Sequence, residues 1–241
     1  MQTDLSGQKV VVTGITGGIA RATTIRLLSL GATVHVTARS QEKLDAELAG
    51  LDGDVTGHIM DLRNEASIAG TFETVGGFDH LVTPAATGMF APIGEMDFAA
   101  AREILETKQW GQMLCAHYGA KNIAATGSIT LFSGTVTQKP LAGATMFAAV
   151  GAASEASARI WGLELAPVRV NTVVPGVIET RIWGDILGDE AATQTLDTLG
   201  GALPVGRIGT ADEVAKAVAF LIDNGFVNGI SLVVDGGHRL I

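Results

Sequence analysis

The stretch Lys9-Val-Val-Val-Thr-Gly-Ile-Thr-Gly-Gly-Ile-Ala20 governs how the rest of the chain is read. Its run Val10, Val11, Val12 has the β-branching and length of a buried strand. Thr13-Gly14 breaks the run, and Gly17-Gly18 lead into helical spacing at Ile19, Ala22, Ile25, Leu27 and Leu28. A strand, a glycine turn and a helix N-terminus are what a dinucleotide pyrophosphate needs. Glycine lets the backbone come close, while free N–H groups and the helix dipole attract the anion. A plain tight turn between strand and helix uses the same glycines, so this stretch alone leaves both readings open.

Composition narrows the class. Of 241 residues 47% are hydrophobic, enough for a large core, so the 31 glycines are read as repeated turns rather than disorder. The formal net charge of −9 provides no basic footprint and argues against nucleic acid as a partner. It leaves the substrate open, because a small cationic pocket can sit on an acidic surface. The single cysteine, Cys115, excludes an intrachain disulfide and fits a reducing, cytoplasmic setting. Its expected place is a buried helix position. Met1 to Gly7 has neither a basic nor an apolar leader region, so no secretory signal is expected. The apolar stretch Leu141 to Ala153 is too short and too interrupted to span a membrane, and reads as a buried or interface helix. No metal site is read.

Further along, strand and helix patterns alternate. Strands are expected at Thr33–Ala38, Gly57–Met60, Phe78–Val82, Ser128–Phe132, Arg169–Val174 and Ser231–Val234. Helices are expected at Gln41–Ala49, from Glu65, over a long Phe98–Ile123, at Met146–Leu165 and at Ala211–Asp223. Such alternation implies parallel pairing with right-handed crossovers in one doubly wound α/β domain spanning 1–241. The irregular stretch 177–209 carries Ile182, Trp183, Ile186 and Leu187 among polar residues, a composition that suits either a lid over an apolar substrate or a surface helix.

Taken together these landmarks resemble the short-chain dehydrogenase/reductase family. Thr13-Gly14-Ile-Thr-Gly-Gly18-Ile-Ala20 looks like its TGxxxGxG turn, with alanine for the last glycine. Asp61 matches the acid set against adenine, and Asn171 with Pro175-Gly176 matches a strand-end N…PG motif. Gly206-Arg207-Ile-Gly209, Asp212-Glu213 and Val234-Asp235-Gly236-Gly237 repeat the C-terminal signature in order. The resemblance implies a Rossmann fold with a mostly parallel seven-stranded sheet, a homodimer or homotetramer, and a small-molecule substrate. It implies cofactor contacts from Gly14, Thr16, Gly18, Ile19, Arg39, Ser40, Asp61, Leu62, Ala85, Pro175, Gly176, Ile178 and Thr180. The second strand ends at Ala38 followed by Arg39-Ser40, with no carboxylate to repel a ribose 2′-phosphate. NADP(H) is therefore expected in preference to NAD(H).

The chain departs from the family where the chemistry should be. Ser133 matches the family's strand-end serine. The helix positions for Tyr-x-x-x-Lys, however, read Phe147-Ala-Ala-Val-Gly151, and the usual Asn-Asn-Ala-Gly reads Thr83-Pro84-Ala85-Ala86. Phe147 keeps a ring without a proton, Gly151 removes the cation, and Lys108 stands at the asparagine of the proton relay. Tyr118, the only tyrosine, cannot be aligned to the site. Lys108 is expected either to reach the room left at Gly151, binding the cofactor ribose, polarising a substrate oxygen beside Ser133 or supplying a proton, or to point to solvent. Ser154 and Glu155 read as interface or surface residues, His117 as facing away from Lys108, and Lys139 as a further candidate for a substrate anion. Three readings follow: an NADP(H) oxidoreductase with an altered site, a non-redox isomerase or lyase on the same scaffold, or a catalytically silent binding protein.

Overall fold

The β1 run Lys9–Val12 solves its own packing by alternation. Val10 and Val12 face one hydrophobic layer with Leu27, Val34, Val36, Leu44, Val218 and Leu221, while Val11 faces a second with Phe72, Leu81, Cys115, Ile129 and Val170. A strand buried on both faces has to lie inside a sheet covered by helices on both sides. In the computed structural model, which describes residues 3–85 and 87–241, it does. The sheet has seven strands in the order β3-β2-β1-β4-β5-β6-β7, and every pairing is parallel. The further strands are β2 (Thr33–Ala38), β3 (Val55–Ile59), β4 (Phe78–Val82), β5 (Ile123–Phe132), β6 (Arg169–Pro175) and β7 (Ser231–Val234). Helices α1 (Gly18–Ser29), α2 (Gln41–Leu48) and α9 (Ala211–Asp223) supply residues to the first layer. Helices α3 (Glu65–Val75), α5 (Gly111–Gly119) and α6 (Thr145–Glu164) supply the second. The order of strands reverses between β1 and β4, and a cleft opens at their C-terminal ends, where such reversals place ligands.

Four expectations need correcting. The buried stripe of α1 is Ala20, Thr23, Thr24 and Leu27, not the Ile19, Ala22, Ile25 register, and Ile25 is exposed. Thr24 is tolerated inside because its Oγ1 bonds back to Ala20 O at 2.9 Å, whereas the buried Thr23 Oγ1 has no partner among the described residues. The long helix is three pieces: α4 (Phe98–Ile104), a π-helical turn Leu105–Trp110, and α5. It stops at Gly119, and Ile123 already belongs to β5, whose first half pairs irregularly with β4 between Phe78 and His80. The stretch 177–209 is not irregular. It folds into α7 (Ile182–Leu187) and α8 (Asp189–Ala202), separated by Gly188 at φ +80°.

The C-terminal landmarks have local physical causes. Thr210 and Glu213 form a reciprocal cap at the start of α9, and Arg207 bonds both Glu213 carboxylate oxygens. That guanidinium pushes the Glu213 carboxyl down to about 2. Cys115 is free and fully buried, its thiol pushed up to about 12 by burial. No helix among the described residues is long and apolar enough to cross a membrane.

Candidate active site

One continuous cleft of about 790 Å³ runs along the C-terminal ends of the strands. Gly14, Thr16, Gly18, Ile19, Arg39, Asp61, Leu62, Ala85, Pro175, Gly176, Ile178 and Thr180 all line it, as do Lys108, Ser133 and Phe147. Ser40 stands apart. Its hydroxyl caps α2 by accepting the Lys43 N–H at 3.5 Å, and it is not among the lining residues. Lys43, which the sequence reading passed over, lines the cleft four residues after Arg39. Spacing along the first turn of α2 would have shown it. Ala86 lies outside the described residues.

The glycine turn fits a dinucleotide. Gly14 has φ +72°, and a Cβ there would stand 2.6 Å from Ala85 Cβ, so the backbone comes close where a side chain would block it. Gly18 faces Thr180 in the same way, at 3.1 Å. No side chain caps the N-terminus of α1, whose first N–H groups are left to face the cleft mouth. Asp61 is held by Arg63, whose Nε and Nη2 each donate at 3.2 Å, and these bonds keep its carboxyl below the usual range.

Lys108 is buried, not turned to solvent. The π-helical turn carries it inward, and Gln112 holds that turn in place. The Gln112 amide donates to Lys108 O (2.8 Å) and Ser154 Oγ (3.1 Å), while its oxygen accepts from Thr83 Oγ1 (2.8 Å) and Phe132 N (3.2 Å). Every polar atom of the amide is thus used, which fixes the backbone from which the lysine departs. No ion pair to the Lys108 ammonium forms among the described residues. Burial alone lowers its pKa to about 8.

The space at Gly151 is not vacant. A Cβ there would stand 2.7 Å from Ser133 Oγ and 2.9 Å from Thr137 Cγ2. The serine leans across the glycine toward the next turn of α6, where its hydroxyl donates to Glu155 Oε1 at 2.7 Å. Thr137 donates to the same oxygen at 2.7 Å. Ser154 is therefore not a surface residue, and Glu155 is tied to the cleft wall through Ser133 and Thr137. Glu155 is half-buried behind Ser133, and Ser154 is buried between Gln112 and Val150 O. Phe147, Gly151 and Glu155 recur every four residues on one stripe of α6. That spacing was visible in the sequence, but the serine it serves lies 22 residues earlier.

Phe147 packs into an aromatic wall of the cleft. Its ring tip is pressed against Gly88, and its centroid lies 5.0 Å from Phe90, which in turn stacks with Trp183 at 6.3 Å and 23°. Trp183 Nε1 bonds Ile178 O at 2.9 Å, fixing the indole. Ile182, Ile186 and Leu187 of α7 join this wall, and Leu141 closes it from the loop before α6. Lys139 and His238 also line the cleft, with Lys139 Nζ donating to His238 O at 3.1 Å. Tyr118 bonds Glu65 and His117 is exposed, and neither lines the cleft. The cleft can take an oxygen-bearing apolar molecule against a lining that includes a buried amine and a serine whose hydroxyl is already engaged.

Residues 14–239 match a family model described as enoyl-(acyl carrier protein) reductase. Carbonyl reductase family member 4 of Danio rerio is 30% identical, with 96% of this chain and 98% of the relative covered. A cis-4-hydroxycyclohexanecarboxylate dehydrogenase of Sinomonas cyclohexanicum is also 30% identical, over 96% of each. A solved structure of a small-chain dehydrogenase in complex with NADPH superposes with a TM-score of 0.85 at 33% identity, covering 97% of this chain and 99% of that one.

Proposed function

This chain belongs to the short-chain dehydrogenase/reductase family, and we propose that it is an NADP(H)-binding oxidoreductase whose acid–base group is Lys108, in place of the family's tyrosine and lysine. The observation that carries this reading is the buried amine lining the cleft, with a pKa of about 8. A group that titrates near neutrality exchanges protons at working pH, which an exposed lysine does not. Phe147 has no proton to exchange and Gly151 no amine.

A bound nicotinamide would supply the hydride-carrying ring. The chain's own residues do the rest. Gly14, Thr16, Gly18 and Ile19 would hold the pyrophosphate, and Asp61 and Leu62 the adenine, with Ala85 beside the glycine turn. Pro175, Gly176, Ile178 and Thr180 border the nicotinamide end. Arg39, with Lys43 nearby and no carboxylate at Ala38, favours a 2′-phosphate. Lys108 donates to the substrate oxygen, where negative charge develops on reduction. The wall of Phe90, Phe147 and Trp183 favours a small apolar carbonyl, hydroxyl or activated double-bond substrate, and α7 would act as a lid over it. The carbonyl reductase and the cis-4-hydroxycyclohexanecarboxylate dehydrogenase among the relatives support a carbonyl or hydroxyl as the reacting group. Exposed Ile160 and Leu163 on α6 support a homodimer or homotetramer, and the buried free thiol of Cys115 supports a cytoplasmic setting.

Titration with NADPH and NADH tests the reading. Failure of both to bind at millimolar concentration overturns it in favour of a non-redox or silent protein. Arg39→Ala should weaken NADPH by about tenfold and leave NADH nearly unchanged, because the guanidinium meets only the extra phosphate. An equal loss for both would remove the NADP(H) preference. Carbonyl reduction needs the Lys108 ammonium. The rate should be flat below pH 8 and fall about tenfold per pH unit above it. A profile that rises through pH 8 would exclude Lys108 as the acid.

A further inference from the structure

We propose that Glu155 is a positioning residue that fixes Ser133 as a hydrogen-bond acceptor toward the cleft, so that the site selects ligands presenting a hydroxyl over the matching carbonyl compounds. The argument is one of proton count. A serine hydroxyl has one proton and two lone pairs. The proton of Ser133 is spent on Glu155 Oε1 at 2.7 Å, a short bond of the charge-assisted kind. The same oxygen takes the Thr137 hydroxyl at 2.7 Å, and an oxygen receiving two hydroxyl donors carries no proton of its own. Thr137 Oγ1 also lies 3.1 Å from Gly134 O, the longer of its two options. Only lone pairs of Ser133 remain for the cleft that it lines.

Gly151 makes this orientation possible. With any larger residue there, a Cβ would stand 2.7 Å from Ser133 Oγ and drive the serine off its carboxylate. Lys108, which lines the same cleft, has donors only. An alcohol satisfies both sides, donating to Ser133 and accepting from Lys108. A ketone satisfies Lys108 alone and sets its oxygen lone pairs against those of Ser133. Sites built to bond a hydroxyl discriminate against analogues that lack it, because the buried polar group is left unpaired. The body of the ligand is apolar, as the wall of Phe90, Phe147 and Trp183 requires. This inference rests on the oxidoreductase reading only in assigning Lys108 to the substrate oxygen.

Cyclohexanol and cyclohexanone are the probes, titrated separately by ligand-observed NMR into the full chain with and without NADPH. The alcohol should bind about tenfold more tightly than the ketone. Glu155→Gln offers Ser133 an amide N–H, freeing the serine proton for the cleft, and should bring the ratio to about one. Ser133→Ala should do the same by removing the acceptor. A purely structural role for Glu155 would weaken both probes alike and leave the ratio unchanged, which overturns the proposal. So does a wild-type ratio of one or below, which needs no variant to fold. Absence of binding by either probe at its highest soluble concentration also overturns it. Failure to bind NADPH sinks the oxidoreductase reading instead, and the cofactor-free ratio still decides the role of Glu155.

Discussion

Lys108→Met is expected to cost about 10²–10⁴ in kcat/KM for carbonyl reduction, the range a positioned acid supplies, while making the fold more stable at neutral pH. The two effects have one origin. The folded chain holds this amine at a pKa of about 8, against an ordinary value of 10.5. Below pH 8 folded and unfolded chains both carry the proton, and burial of the charge opposes folding in full. Between 8 and 10.5 the unfolded chain binds more protons, so stability rises with pH, and above 10.5 the gain is complete. Methionine has a similar length and no charge. It should stabilise the protein by up to about 3 kcal/mol below pH 8, less as far as cleft water reaches the amine. Thermal melts at pH 6.5 and pH 10.5 check this: the advantage of the variant should be large at the first and nearly gone at the second. A variant less stable than wild type at pH 6.5 would mean that the ammonium is paired. A residue that weakens the fold and lines its cleft is the pattern expected of a functional group.

Restoring the family's motif is expected to fail. Phe147→Tyr with Gly151→Lys should bring no gain in carbonyl reduction over wild type and lower stability by about 1–3 kcal/mol through overpacking. The lysine would have to displace Ser133 Oγ and the Thr137 methyl, 2.7 and 2.9 Å from its Cβ. The tyrosine hydroxyl would project from a ring tip already pressed against Gly88. Each change alone should show part of the loss, Gly151→Lys the larger. Steady-state assays with NADPH over a ketone panel, together with denaturant midpoints, read both quantities. Activity rising well above wild type would show that the pocket still has the ancestral shape, against a rebuilt site.

Most of the fold was legible because its strands are β-branched runs that fill both faces of a sheet. Phe78–Val82, Ser231–Val234 and the helix Ala211–Asp223 have the bounds that their apolar periods imply. The first half of β5, Ile123-Ala-Ala-Thr-Gly127, escaped because small and exposed residues carry no period. The threonine-lined face of α1 escaped because hydropathy ranks Ile25 above Thr24, while side-chain bonds to the backbone reverse that order. The cleft was legible as a set of lining residues, Ser40 excepted, since one turn and four strand ends place it. Its chemistry was not. A lysine on a helix reads as solvated unless the turn beneath it is known, and nothing in Leu105–Trp110 announces a π-helix. Glu155 looked like a surface residue because the group it restrains comes from another strand.

That wide turn has a consequence for how such a site can be gained or lost. A π-helical turn is a helix with one surplus residue, so a single in-frame codon separates it from a regular spiral. Deleting Gln109 would leave α5 where it is and rotate Lys108 by about 100° about the axis, out of the cleft. Both neighbouring helices would survive, and no residue named in the chemistry would have changed. A one-residue deletion between Ile104 and Gly111 would therefore take this amine out of the cleft while leaving its identity intact.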